Sequence, residues 1–76
     1  MSDIQHNGQT LWSVRLGRNL RLGDIVETFR GERGTVTGGT SPHKQGSTGR
    51  VYVEMENGGW ASEFFPSVID AKWVKA

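Results

Sequence analysis

From Arg50 to Glu56 the chain alternates: Val51, Val53 and Met55 fall on one side, and Arg50, Tyr52, Glu54 and Glu56 on the other. A period of two is the mark of a β-strand with one buried face and one wet face. A buried face needs a cover, and the rest of the chain offers more strands to supply it. The eleven glycines in 76 residues, about twice the usual share, ask for many turns. Gly17 and Gly23 argue against a long helix in the first third.

Asp24 to Phe29 reads as a β-type run ended by Arg30-Gly31-Glu32-Arg33-Gly34, and Thr35 to Thr37 continues as a second strand. Gly38 to Gly49, GGTSPHKQGSTG, has nothing to pack and is expected as an exposed loop. After the strand at residues 50–56, Asn57-Gly58-Gly59 supplies left-handed turn residues and Trp60 to Phe65 returns as the hairpin partner. Pro66 stops that strand because it has no N–H to give a ladder. Ser67 to Asp70 suits one 3₁₀ turn, and Ala71 to Val74 a closing strand. Leu11 to Leu22 is mixed; Trp12, Val14 and Leu16 alternate, so a short strand or extended arm is expected there. Residues 1–10 show no periodic apolar pattern and read as a frayed or disordered terminus preceding one domain over 11–76. Five short strands, one long loop and a single-turn connection before the last strand predict an all-β fold, a small five-stranded barrel with a flexible N-terminal arm and a short 3₁₀ turn before its last strand.

Composition narrows the chemistry. A chain this short has room for one small core and no deep cleft of its own. Without cysteine there are no disulfides, thiolate nucleophiles or Cys-type metal sites. His6 and His43 are the only imidazoles, one in the terminus and one in the loop, and both are expected to be solvated. Gly31 to Gly34 lacks the Gly-Lys-Ser/Thr ending of a phosphate loop. Glu54, Glu56 and Glu63 read as the charges of a wet sheet face rather than a cation site. No catalytic residue, metal or cofactor is therefore expected. The opening MSDIQHNGQT lacks a basic and apolar leader, and no stretch approaches the ~20 apolar residues that cross a bilayer. A soluble, cytoplasmic protein without a membrane partner is the expectation.

Gly23-Asp24 opening a strand, Gly34-Thr35-Val36, a loop, alternating valines and then Phe65-Pro66 together resemble the SH3-like barrel modules of small bacterial and phage proteins, over Leu22 to Val74. The gap from Gly-Asp to aromatic-Pro is also similar to that of the plasmid-borne type II dihydrofolate reductases, whose SH3-like protomers form a tetramer around one pore. In that family a Val-Gln-Ile-Tyr segment binds folate and nicotinamide; the matching positions here are Ser62, Glu63, Phe64 and Phe65, and none is kept. The family's pore-mouth lysine falls on Thr28. The resemblance thus implies the scaffold, and a homo-oligomer with an altered or lost active site as the alternative function.

The site expectation rests on aromatics and on charge order. Phe64 and Phe65 are adjacent in a strand and must face opposite ways; Phe65, beside Pro66, is expected in the core. That leaves Phe64 outside with Trp60, and Tyr52 on the partner strand, as an exposed stripe. Residues 15–50 hold seven basic and three acidic side chains, +4, whereas residues 51–70 hold four acidic and no basic ones, −4. Arg30, Arg33 and Lys44 would then form a basic rim. Stripe and rim together predict a non-enzymatic binding module for a protein or nucleic-acid partner; scattered solubilising charge is the plain alternative for the rim, and burial beneath the N-terminal arm for the stripe.

Overall fold

The computed structural model describes residues 3–44, 46–56 and 61–76. Its strands are β1 (Gln5–His6), β2 (Gln9–Ser13), β3 (Arg18–Asn19), β4 (Ile25–Glu27), β5 (Arg33–Thr40), β6 (Arg50–Met55), β7 (Ala61–Phe64) and β8 (Ala71–Lys75), with one 3₁₀ turn at Pro66–Ile69. All pairings are antiparallel, and they make two four-stranded sheets. One is the meander β4-β5-β6-β7; in the other, β2 is flanked by β8 on one side and by β1 and β3 in tandem on the other. The all-β class is as expected. The count is eight strands rather than five, and among the described residues the pairings stop at two sheets without closing a ring.

The alternation of β6 works as its sequence requires: Val51 and Val53 are fully buried and Met55 nearly so. They meet Val26 of β4, Val36 of β5, Ile69 of the 3₁₀ turn and Ala71 of β8. Leu11 and Leu20, both fully buried, join them with Ile4. These last three residues also exchange backbone bonds in a ring: Ile4 N–H to Leu20 O (3.1 Å), Leu20 N–H to Leu11 O (2.7 Å) and Leu11 N–H to Ile4 O (3.4 Å).

That ring corrects the expectation of a frayed terminus. Asn7 and Gly8 both take positive φ, 51° and 75°, the geometry of a two-residue hairpin loop that matches strand twist. The loop folds β1 onto β2 and drives Ile4 into the core. A two-residue strand with one apolar anchor has no periodicity to detect. Trp12, Val14 and Leu16 are also reassigned: β2 turns Leu11 and Ser13 inward, and Val14 to Gly17 form a turn closed by Gly17 N–H to Ser13 O. Gly38 to Thr40, expected in the loop, extend β5 past a bulge between Val36 and Gly38. Trp73 of β8 packs its ring against Gly39 and Gly49, joining one sheet to the other where any side chain would collide.

Candidate functional site

Cross-strand partners share a face of a sheet, and the β6–β7 register pairs Val51 with Phe64 and Tyr52 with Glu63. Phe64 therefore stands on the inner face with Val51, half-buried against the core. Tyr52 stands on the outer face. The expectation that Phe64 is exposed and Phe65 buried is reversed: Phe65 is 53% exposed, and the Arg50 guanidinium lies 4.2 Å from its ring centre. Continuing the register by one step sets Arg50 beside Phe65. The outer face thus carries Tyr52, Arg50 and Phe65 in place of Tyr52 and Phe64. Trp60 lies outside the described residues.

The basic rim is divided. Arg30 and Arg33 sit at the β4–β5 turn, and Lys44 in the loop at the far end of β5, an eight-residue strand that at about 3.3 Å per residue separates them by roughly 23 Å. Arg30 lies 5.7 Å from the Phe29 ring and shares a hollow of about 210 Å³ with Phe29, Phe64 and Val68. Lys44 is brought to Tyr52 instead. The two line a cleft of about 360 Å³ between the loop and the outer face, together with Thr40, His43, Arg50 and Glu63.

Each wall of this cleft is held from behind. The Tyr52 hydroxyl lies 2.6 Å from Thr40 Oγ1, and Thr37 Oγ1 donates to Tyr52 O at 3.3 Å. Arg50 is fixed on three sides: Nε forms an ion pair with Glu63 Oε1 (3.1 Å), a terminal nitrogen donates to Gly49 O (3.0 Å), and the guanidinium stacks on Phe65. At the loop's start Ser41 is fully buried; its N–H donates to His6 Nδ1 at 3.0 Å, and its Oγ lies 2.7 Å from the same nitrogen. His6 is thus a structural acceptor that anchors the loop, where solvation was expected.

Charge order along the chain does not survive folding. Arg15 meets Asp70 at 2.9 Å and Arg50 meets Glu63, so the basic stretch pairs with the acidic one. Arg18 pairs with Asp24 and Arg21 with Asp3. Among the described residues, Arg30, Arg33 and Lys44 are without a carboxylate within 4.0 Å. In the cleft Glu63 is engaged by Arg50, which leaves Lys44 as the surplus charge beside the hydroxyls of Tyr52 and Thr40. Lys44 and the two hydroxyls are donors that an anion could accept from, beside the ring of Tyr52. No three metal-ligating side chains converge among the described residues, and no helix there is long and apolar enough to cross a membrane.

Two residues of this site, Arg50 and Phe65, were not among those expected. Their signal was the hairpin register: had Val51 been paired with Phe64, both would have followed. No protein-family model, curated protein or solved structure matches this chain.

Proposed function

We propose that the chain is a non-enzymatic binding module on an SH3-like small-barrel scaffold, and that it takes single-stranded nucleic acid across the outer face of β6 and β7. The observation that carries this reading is that Tyr52 and Arg50 share a cleft with the unpaired Lys44 while the Arg50 guanidinium continues the row onto the exposed Phe65. Bases stack on aromatic rings and guanidinium planes, and a lysine at the rim meets the phosphate between them. The scaffold reading is supported by the pairing of β2 with β8, the meander between them, and the single 3₁₀ turn before the last strand. The reductase-like alternative gains no support: Thr28, at the position of that family's lysine, is 3% exposed and its Oγ1 accepts the N–H groups of Arg30 and Glu32.

Anisotropy of a labelled oligothymidylate or oligouridylate at low salt tests the reading. Tyr52→Ala should weaken binding by about 5-fold to 100-fold, the worth of one stacked base. Lys44→Ala should lower the salt dependence by about 0.7 in the log–log slope, one single-strand phosphate contact. Equal binding by both variants and the parent, with unchanged far-UV circular dichroism, would exclude this face.

A further inference from the structure

The start of the loop over the outer face is tied down through one ring nitrogen. Residues i and i+2 of a strand share a side, so His6 falls on the same side of β1 as the core residue Ile4, and the end of β5 brings Ser41 to it. Nδ1 of an imidazole accepts a hydrogen bond only while that nitrogen carries no proton. Ser41 N–H donates to His6 Nδ1 at 3.0 Å, and Ser41 Oγ stands 2.7 Å from the same atom. A backbone N–H has no lone pair to offer in exchange. The contact therefore requires the neutral ring with its proton on Nε2.

Protonation of Nδ1 sets two donors against each other. Ser41 Oγ can turn and accept from the new N–H, but Ser41 N–H is then left without an acceptor, and Ser41 is fully buried, out of reach of water. No other hydrogen bond ties residues 41–44 to a strand: among the described residues their one remaining bond is local, from Ser47 N–H to Lys44 O at 3.1 Å. The charged groups around the ring do not compensate. Asp3, on the opposite side of β1, is engaged by Arg21 at 3.5 Å, and no carboxylate among the described residues lies within 4.0 Å of the imidazole. Across β2 the residue opposite is the neutral Gln9, and beyond it on the same face comes Lys75 of β8. On the loop stand His43 and Lys44, and Arg50, opposite Thr40, is paired with Glu63. The surroundings thus offer a protonated ring cations and no free anion.

We propose that His6 is a pH-sensitive latch of this loop: neutral, it holds Ser41 and with it residues 42–44 against β1; protonated, it lets them go. The bond is present above the imidazole range and is lost as pH falls through it, between about pH 8 and pH 5. Lys44 stands on the latched segment, so release also loosens that wall of the cleft. This consequence rests on the nucleic-acid reading above; the latch itself does not.

The test needs no nucleic acid. Amide and imidazole NMR spectra of the full chain, followed from about pH 8 to about pH 5, should show the Ser41 amide moving with the same midpoint as the His6 ring. The protection of that amide against hydrogen exchange, corrected for the intrinsic pH dependence of exchange, should fall by about fivefold or more, the worth of one net hydrogen bond. His6→Asn offers a carbonyl oxygen in place of Nδ1 at every pH and should keep the amide protected throughout, whereas His43→Gln should leave the step where it is. Should His6→Asn not fold, the parent and His43→Gln still decide. A Ser41 amide that stays still over this range, or a step that vanishes in His43→Gln or persists in His6→Asn, would overturn the proposal.

Discussion

Asp24 carries more structure than its place in a turn suggests. Arg18 donates to both of its carboxylate oxygens, at 2.9 and 3.3 Å, and the Arg21 N–H donates at 2.8 Å. The Arg18 hydrogen bonds, opposed by partial burial and helped by the Arg21 N–H, hold the Asp24 carboxyl below its usual range. A carboxyl with a lowered folded-state pKa stabilises the fold wherever it is ionised. Its contribution is complete above the ordinary value of about 4 and is lost as pH falls through the lower, folded value. Thermal unfolding followed from pH 7 to pH 2 should show the Asp24→Asn variant less stable at neutrality and losing less than the parent below about pH 4. Parallel curves for the two proteins would mean that the pair does not couple to folding.

Gly38 and Gly39 stand side by side in β5, yet their surroundings differ. A Cβ on Gly39 would stand 2.8 Å from the Trp73 ring and 2.9 Å from Arg50 O, whereas one on Gly38 would make ordinary contact with Tyr52 at 3.6 Å. Gly39→Ala should cost about 1–3 kcal/mol, as overpacking does, and Gly38→Ala should be near neutral or stabilise by about 0.4–1 kcal/mol through the unfolded chain. Urea denaturation of the pair checks this; equal midpoints would show that the contact with Trp73 is not tight. The same scale explains what the sequence disclosed. β6, β8 and the 3₁₀ turn were readable because alternation, Pro66 and the closing Ala71 to Val74 run are local signals. The β6–β7 register was not, because no local pattern fixes how the two strands are offset, and a slip of one residue exchanges Phe64 for Phe65 on the outer face. The misplacement of the aromatic stripe follows from that single step. β1 and β3, two residues each, have too little chain to show any period and form only because long-range partners hold them.

At the scale of the whole molecule, the near-neutral net charge is realised by pairing across space, Arg15 to Asp70 and Arg50 to Glu63, so that no large field of one sign is needed at the proposed nucleic-acid face. Lys44, at one end of β5, is the local surplus cation there, whereas Arg33 at the other end stands opposite Glu27. What joins the two ends is the common core, and its least expected member is Ile4. Removal of that side chain tests whether the first residues belong to the fold. Ile4 is 4% exposed and its backbone closes the ring with Leu11 and Leu20. Ile4→Ala should therefore cost about 2–4 kcal/mol. In a domain of this size each kcal/mol lowers the melting temperature by about 4–8 °C, so a fall of at least about 8 °C is expected. A frayed terminus would register no change. A melting temperature within about 2 °C of the parent would return residues 3–8 to the status of an unattached arm, and with them the His6 anchor that holds the Lys44 loop over Tyr52.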